Sequence, residues 1–265
     1  MAERAAIILA AGVSSRMNAD VPKVLRKVCG RPMLAYVLDA CRKAGIGKIY
    51  VVVGFGAEEV KKRFDGADDI VWVHQQQQNG TAHAVLCCKE RLGGFNGDTF
   101  VLCGDGPLIR AKTLKTIIQK HEAERSAATL ATAVLDDPTG YGRICRDKDG
   151  NIGGIVEHGD CTSEQLGIKE VNPSYYLFNN KVLFGALDKV GCDNVKKEYY
   201  LTDSISIIMS SGRKVVAVAA MRPEEAMSIN TEAQLSRVSE IMRSRMEENV
   251  NPASPRGGVK SKVSN

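Results

Sequence analysis

The chain has 265 residues, of which 44% are hydrophobic and 25% charged, and its formal net charge is +5. A chain of this length and composition can bury a sizeable core, and no window approaches the ~18 uninterrupted apolar residues of a membrane span. We therefore expect no membrane partner. The mild positive charge suits anionic substrates, but no basic run is interleaved with aromatic residues, so we expect no nucleic acid partner.

Three further features predict a cytoplasmic protein without a metal site built from cysteine or histidine ligands. The first residues lead directly into an apolar run, so we expect no signal peptide. The eight cysteines show neither a C-x-x-C pair nor a metal-ligand spacing, which predicts reduced thiols, most of them in the core. The four histidines share no ligand spacing either, and we expect them to be structural.

Strand-like and helix-like segments alternate along the first half of the chain. Apolar and β-branched runs predict strands at residues 5–10, 48–53, 70–74 and 99–103, and helices are predicted at residues 32–44, 81–92 and 111–123. This order predicts an α/β fold with an open, mostly parallel sheet covered by helices on both faces. Such sheets bind ligands at the carboxyl ends of their strands, where the loops at residues 10–23, 75–81 and 104–108 lie.

The pattern changes from about residue 127. Strand-like segments at residues 127–136, 143–146 and 152–157, with a turn at residues 147–150, predict an antiparallel lobe over the sheet edge. A strand at residues 215–220 and an amphipathic helix from residue 231 to about residue 248 should follow. Residues 249–265 are rich in Pro, Gly, Ser and Lys, which predicts a disordered tail.

The residues after the first strand predict a phosphate-binding loop. The loop begins with Leu9, Ala10, Ala11 and Gly12. Small residues let backbone N–H groups approach an anion, and Arg16 and Lys23 add two cations that suit a polyphosphate. An ordinary strand-to-helix loop with two solvated cations is the alternative interpretation.

This loop resembles the signature L-A-A-G-x-x-x-R-M-…-P-K of the sugar-1-phosphate nucleotidyltransferases. Five later segments match the same family in the right order: residues 75–84, 104–108, 140–144, 155–157 and 198–203. From about residue 5 to residue 245 the chain resembles the uridyltransferase domain of N-acetylglucosamine-1-phosphate uridyltransferases. The resemblance implies a Rossmann-like, glycosyltransferase-A-like domain at residues 1–248 whose sugar-binding lobe lies within residues 127–200.

The resemblance also implies the substrates and the residues that bind them. UTP and a sugar 1-phosphate would react with the help of Mg²⁺, which Asp105 and Asn230 would bind. Arg16, Lys23 and Asp105 would be the catalytic residues. Further substrate contacts would come from Leu9, Ala10, Ala11, Gly12, Gln75, Gly80, Thr81, Gly104, Gly142, Glu157, Asn172, Tyr199, Thr202 and Asn230.

Several of these residues have an ordinary structural explanation as well. Asp105 could cap the turn before Pro107, and Thr81 and Thr202 could begin helices. Glu157 could be a surface charge on an edge strand. A capping box of Thr231 and Gln234 could account for Asn230.

The chain departs from the family at the sugar side. Asn172 is followed by Pro173 and Ser174, where the family usually has Thr or Ser and then Gly. This departure concerns the acyl-group pocket and leaves the phosphate chemistry unaffected. On the nucleotide side, the run from Gln75 to Gln78 leaves open which glutamine binds the base.

Two other functions remain compatible with the sequence. One is a nucleotidyltransferase of the same fold with a different base or sugar phosphate. The other is a catalytically silent nucleotide-sugar sensor, which the joint presence of Arg16, Lys23, Asp105 and Asn230 disfavours. Bifunctional relatives append an acetyltransferase domain of hexapeptide repeats, and we expect this chain to lack that activity and the trimer it builds.

Overall fold

The computed structural model describes residues 3–12 and 21–250, without the side chains of the last two. Its strands are β1 Arg4–Ala10, β2 Lys27–Val28, β3 Arg31–Pro32, β4 Lys48–Val53, β5 Ile70–His74, β6 Asp98–Cys103, β7 Ala128–Ala131, β8 Ala133–Val134, β9 Gly142–Arg146, β10 Ile152–Val156, β11 Glu170–Asn172, β12 Tyr176–Asn179 and β13 Val215–Val218. Its α-helices are α1 Met33–Ala44, α2 Ala57–Arg63, α3 Thr81–Leu86, α4 Lys89–Leu92, α5 Ala111–Glu124, α6 Ser163–Leu166, α7 Asn180–Leu187, α8 Asp203–Ser210 and α9 Glu232–Val250. Short 3₁₀ turns lie at Lys23–Leu25, His158–Asp160 and Pro223–Ala226.

The central sheet has seven strands in the order β13-β7-β12-β6-β1-β4-β5. Neighbouring strands are parallel except at β12, which runs antiparallel to both β6 and β7. The predicted mostly parallel α/β sheet is thereby confirmed. Because β1, β4, β5 and β6 are parallel, their carboxyl ends share one edge, and the segments that begin at Ala11, Gln75 and Gly104 leave the sheet there.

Both faces of this sheet are buried, which explains its continuous apolar strands. Successive residues of β1 enter different cores. Ala6 and Ile8 pack under α1 and α5, whereas Ala5 and Ile7 pack under α3, α7 and α8. All four side chains are fully buried. The sheet is therefore a rigid base for the segments at its carboxyl edge.

Two predicted elements are interrupted in the structure. The helix expected at residues 81–92 consists of α3 and α4, because the chain tightens at Cys88, whose N–H bonds the Val85 carbonyl 2.9 Å away. The strand expected at residues 127–136 divides at Thr132 into β7 of the central sheet and β8 of a second sheet. Thr132 donates its N–H to the Val218 carbonyl at 2.8 Å and its hydroxyl to Glu170 at 2.6 Å, and so connects the two sheets.

The second sheet is the predicted antiparallel insert. It has four strands in the order β10-β9-β11-β8. The predicted turn at residues 147–150 is present, and the Asp147 carboxylate accepts the N–H groups of Asp149 and Asn151 at 2.9 and 2.8 Å. We refer to residues 133–172 as the lobe. The expected domain limits, 1–248 for the whole domain and 127–200 for the sugar-binding part, stay predictions.

The last helix follows the predicted bounds closely and extends to Val250. It packs on β2 and the start of α1 through a small apolar cluster: Val28, Met33, Leu108, Ile229, Val238 and Met242. No helix in residues 3–12 and 21–250 is long and apolar enough to cross a bilayer. Apart from the two residues that end α9, the predicted disordered tail at residues 249–265 lies outside the described residues, as does Arg16.

The cluster under α9 provides a test of how this helix is held. Ile229 is fully buried in it and precedes Asn230. Ile229→Ala should lower the free energy of unfolding by about 2–4 kcal/mol, because it removes buried methyl groups and leaves a cavity. Urea unfolding with a fixed slope measures this loss. Leu166→Ala is the control, since Leu166 is 41% exposed. A loss no larger than the control's would contradict the described packing.

Candidate active site

Two clefts meet at the carboxyl end of β6. The nucleotide-side cleft, about 320 Å³, lies between the ends of β1, β5 and β6. The sugar-side cleft, about 500 Å³, lies between β6, the lobe and the start of α9. Cys103 and Asp105 line both clefts. A group bound in one cleft therefore approaches a group bound in the other next to Asp105.

Most of the predicted site residues divide between these two clefts. The nucleotide-side cleft is lined by Leu9, Ala10, Ala11, Gly12, Lys23, Gln75, Gly80 and Thr81. The sugar-side cleft is lined by Gly142, Glu157, Asn172 and Asn230. Gly104, Tyr199 and Thr202 line neither of them. The site predicted from separate motifs is thus largely brought together by the fold.

Lys23 joins the residues expected to bind metal. Its ammonium donates to the Asp105 carboxylate and, at 2.7 Å, to the side-chain oxygen of Asn230. The side chains of Lys23 and Asp105 are only 14% and 19% exposed, so water screens their attraction less than at an open surface. Three segments far apart in the chain therefore meet at a single cationic atom.

The oxygens of Asp105 and Asn230 suit a hard divalent cation. Both converge on one cationic nitrogen, so their spacing allows them to share a single ion. Mg²⁺ commonly takes one or two protein oxygens and completes its octahedron with phosphate oxygens and water. Among the described residues no cluster of three or more His, Cys, Asp or Glu side chains forms a closed cage. The donor set fits a metal that is shared with a phosphate substrate.

The start of α9 orients Asn230. The Gln234 side-chain oxygen accepts the N–H of Asn230 at 2.7 Å, while the Thr231 hydroxyl accepts the N–H of Gln234 at 3.2 Å. The predicted capping box is therefore shifted by one residue at one of its two hydrogen bonds. The Gln234 side chain accepts the N–H of Asn230, where a capping box on Thr231 would use the N–H of Thr231. The Asn230 side-chain nitrogen donates to Ser228 at 3.1 Å, which turns its oxygen toward Lys23. Helix capping and the predicted ligand role are therefore compatible.

Two of the four glutamines line the nucleotide-side cleft. Gln75 is 4% exposed, and its amide nitrogen donates to the Gly80 carbonyl at 3.3 Å and contacts Nδ1 of His83 at 3.0 Å. Gln78 donates to the Ala11 carbonyl at 2.9 Å. Gln75 is therefore fixed at the wall of the cleft and its expected contact with the base stays a prediction, while Gln78 is an addition that its place in a glutamine run did not single out.

Gly80 is required by the close approach of a neighbouring segment. Its φ is +111°, and a Cβ added there would lie 2.5 Å from the Tyr199 carbonyl oxygen. Tyr199 uses its backbone to hold this loop, since its N–H bonds Asn79 at 2.8 Å and its carbonyl accepts from Ala82 at 2.9 Å. Thr81 is the first residue of α3 and not its cap, and its hydroxyl accepts the N–H of Leu201 at 2.9 Å.

Glu157 is a second acidic group of the sugar-side cleft, besides Asp105. Burial raises the pKa of its carboxyl above the usual value, and the hydrogen bond from Thr202 and the charge of Lys196 partly oppose that rise. The Thr202 hydroxyl donates to Glu157 at 3.0 Å and does not cap α8. Thr202 therefore orients Glu157 from behind the cleft, and Glu157 keeps its second oxygen for other partners.

Asn172 forms a tight turn at the same cleft. Its side chain donates to the Tyr176 hydroxyl at 2.5 Å and accepts the N–H of Ser174 at 3.1 Å. Ser174 has φ +66°, the left-handed conformation that glycine adopts without steric cost. The turn thus retains a glycine-like backbone although Ser174 replaces the family's usual Gly, and Pro173 and Ser174 both line the cleft.

Gly142 and Gly104 allow close packing at the site. A Cβ on Gly142 would lie 3.5 Å from Glu157, so a side chain there would occupy the sugar-side cleft. The N–H of Gly104 donates to the Leu9 carbonyl at 2.9 Å, and a Cβ there would lie 3.0 Å from the same oxygen. Gly104 therefore holds the end of β6 against β1.

Other residues line the clefts without having been predicted. They include Cys103 and Glu198 on the nucleotide side, and Tyr141, His158, Lys196 and Tyr200 on the sugar side. Burial raises the pKa of Cys103 to about 12, which keeps it a thiol at neutral pH. Position in a matched motif could have indicated Tyr141, Glu198 and Tyr200, whereas Cys103, His158 and Lys196 lie outside the matched segments and carry no such signal.

Gly80 gives a direct test of the nucleotide-side cleft. Gly80→Ala should lower the free energy of unfolding by about 2 kcal/mol or more and weaken the UTP binding that the resemblance implies, because the left-handed backbone and the contact with Tyr199 both oppose a Cβ. Thermal unfolding and calorimetric titration with UTP measure the two effects. Gly94→Ala is the control, since nothing lies within 4 Å of a Cβ there. Equal behaviour of the two variants would argue against this loop geometry.

Comparison with known proteins identifies the family of the chain. The model of the MobA-like NTP transferase domain matches residues 6–152. The chain is 45% identical to the bifunctional protein GlmU of Clostridium tetani over 241 residues, 91% of this chain and 52% of that protein. It is 43% identical to the bifunctional protein GlmU of Listeria monocytogenes serotype 4a over 249 residues, 94% of this chain and 54% of that protein. The chain thus spans about half the length of these relatives.

A solved structure supports the fold independently of sequence. A crystal structure of UDP-glucose pyrophosphorylase complexed with UDP-glucose matches with a TM-score of 0.75 and covers 92% of this chain and 100% of the other. At 16% identity this likeness concerns the fold alone. The family model covers more than half of the chain, and the resemblance predicted from six sequence motifs is confirmed. The chain belongs to the MobA-like NTP transferase family and has the fold of a sugar-nucleotide pyrophosphorylase.

Proposed function

We propose that the protein transfers a uridylyl group from UTP to N-acetylglucosamine 1-phosphate, forming UDP-N-acetylglucosamine and pyrophosphate. The observation that carries the proposal is the meeting of two clefts at Asp105, where Lys23 and Asn230 also converge. The GlmU relatives and the pyrophosphorylase that binds UDP-glucose support a uridine nucleotide and a sugar phosphate as substrates.

The nucleotide-side cleft would bind UTP. Its wall at Ala11 and Gly12 would offer backbone N–H groups to the phosphates, and the side-chain oxygen of Gln75, whose nitrogen is already bonded within the protein, would accept from an N–H at the edge of the base. The sugar-side cleft would bind the sugar phosphate, with Glu157 accepting hydrogen bonds from sugar hydroxyls. An oxygen of the sugar phosphate would attack the α-phosphorus of UTP in line, and pyrophosphate would leave.

This reaction needs no nucleophile from the protein. The protein would act by positioning two polyanions and by compensating their charge. Lys23 would move from Asp105 and Asn230 toward the phosphates of both substrates, and Arg16 would take the triphosphate as the resemblance implies. Asp105 and Asn230 would hold Mg²⁺, which when bound neutralises phosphate charge at the junction of the clefts.

A pyrophosphate-release screen over nucleoside triphosphates and sugar 1-phosphates tests the function. The expected result is the highest kcat/KM with UTP and N-acetylglucosamine 1-phosphate. A clear preference for another base or sugar would keep the reaction class and overturn the substrate assignment. The absence of release with every pair would overturn the enzymatic function and favour a nucleotide-sugar sensor.

Asp105→Asn tests the assignment of the junction. The variant keeps the side-chain shape but loses the charge that would hold a divalent cation, so kcat should fall on the order of 10²–10³-fold or more. Steady-state rates with Mg²⁺, and wild-type rates with excess EDTA, measure the effect. Asp68→Asn, at an exposed site away from both clefts, should retain the wild-type rate. Near-normal turnover of Asp105→Asn would exclude Asp105 from the site.

A further inference from the structure

Arg143 is a buried cation in the lobe that forms no ion pair within 4 Å in the described part of the chain. It lies in β9 and is 1% exposed. Its guanidinium donates to the carbonyl of Tyr141 and, at 3.5 Å, to that of Leu166, and it approaches Nδ1 of His158 at 3.4 Å. Its Nε atom is buried and has no partner. Burying a guanidinium without a paired carboxylate costs free energy, which the remaining contacts of Arg143 must offset.

The contact with Arg143 determines how His158 can be used. A guanidinium has only N–H donors, so Nδ1 of His158 must accept in this contact. In the neutral imidazole the proton then resides on Nε2, which becomes a hydrogen-bond donor. No residue in the described part of the chain pairs with this second nitrogen. Arg143 therefore leaves His158 with one donor for an external partner.

His158 holds that donor at the sugar-side cleft. It follows Glu157 directly, begins the 3₁₀ turn His158–Asp160 and lines the cleft. The wall of the cleft thus presents an acceptor, the Glu157 carboxylate, beside a donor, the His158 imidazole. Sugar hydroxyls can donate to Glu157, but a carbonyl oxygen can only accept and needs a donor.

The other polar groups of the wall are less suited to a carbonyl oxygen. The Asn172 side chain already donates to Tyr176 and accepts from Ser174. Lys196 is exposed and carries its ammonium on a flexible stem, whereas Arg143 fixes the His158 ring from within the lobe. His158 is thus a preorganised donor in this wall.

We propose that His158, oriented by Arg143, is a specificity-determining residue that donates an Nε2–H hydrogen bond to the carbonyl oxygen of an acylamino sugar 1-phosphate. The inference rests on the proposed function, since it concerns the sugar-side cleft of that reaction. Arg143 is a positioning residue in this scheme, because its guanidinium reaches the substrate only through the imidazole.

Two substitutions distinguish the role of Nδ1 of His158 from the role of its Nε2. His158→Asn keeps a polar atom near Nδ1 for Arg143 but removes the donor at Nε2. His158→Gln reaches the position of Nε2 with an N–H donor. The measured quantity is the ratio of kcat/KM for N-acetylglucosamine 1-phosphate to that for glucose 1-phosphate. We expect His158→Asn to lower this ratio about tenfold, the value of one lost hydrogen bond, while His158→Gln stays near wild type.

Controls distinguish this role from a structural one. The KM for UTP and the melting temperature of His158→Asn should stay near wild type. An unchanged ratio in His158→Asn, or an equal loss in the Asn and Gln variants, overturns the inference. A ratio that falls in Lys196→Gln but not in His158→Asn also overturns it and assigns the contact to the lysine.

Histidine ¹⁵N NMR tests the same idea on the wild-type protein and does not depend on turnover. With only four histidines in the chain, the His158 signals can be assigned with the His158→Asn variant. We expect a protonated Nε2 whose resonance shifts on addition of N-acetylglucosamine 1-phosphate and not of glucose 1-phosphate. A proton on Nδ1, or equal shifts with both sugars, overturns the inference. Failure of every substrate pair to release pyrophosphate would instead overturn the proposed function.

Discussion

The ammonium of Lys23 is the point at which the whole site is assembled. Its two partners lie 82 and 207 residues further along the chain, so no local interaction could bring them together. The parallel sheet places Asp105 just after the end of β6, and the apolar cluster under α9 fixes the segment that carries Asn230. The contact is partly buried, where opposite charges attract more strongly than in open water. Because both clefts open at Asp105, any shift of the sheet edge or of α9 would change the distance between the bound groups.

Several residues that the family pattern marks as substrate contacts are used inside the protein. Tyr199 holds the Gly80 loop with its backbone, Thr202 orients Glu157, and Gly104 joins β6 to β1. Thr81 bonds the segment that carries Tyr199 and Thr202. A sequence motif therefore combines residues that face the ligand with residues that support them. The hydrogen bonds of the structure are needed to tell the residues that face the ligand from those that support them, since both kinds are polar or small and lie side by side in the chain.

Sequence patterns predicted those parts of the fold that depend on burial along a single element. The central-sheet strands β1, β4, β5 and β6 were predictable because both faces of the sheet are covered and each strand is a continuous apolar run. The break at Thr132 was not predictable, since it depends on hydrogen bonds to Val218 and Glu170. The site followed the same rule. Groups at strand ends were predicted from the family motifs, whereas the proposed role of His158 depends on Arg143, which the lobe places beside it.

In the proposed function, the division of the site between two sheets separates the phosphate chemistry from the selection of the sugar. The carboxyl edge of the central sheet carries Lys23 and Asp105, the groups that would act on the phosphates, and packing on both faces of the sheet constrains its position. The lobe supplies Glu157 and His158 on a smaller sheet that is joined to the central one at Thr132. Ser174 retains a left-handed turn where glycine is usual, so the backbone of the acyl pocket persists while its side chains differ. Substitutions in the lobe can therefore change which sugar is accepted without moving the groups at the phosphates, which is how one fold can serve several sugar phosphates.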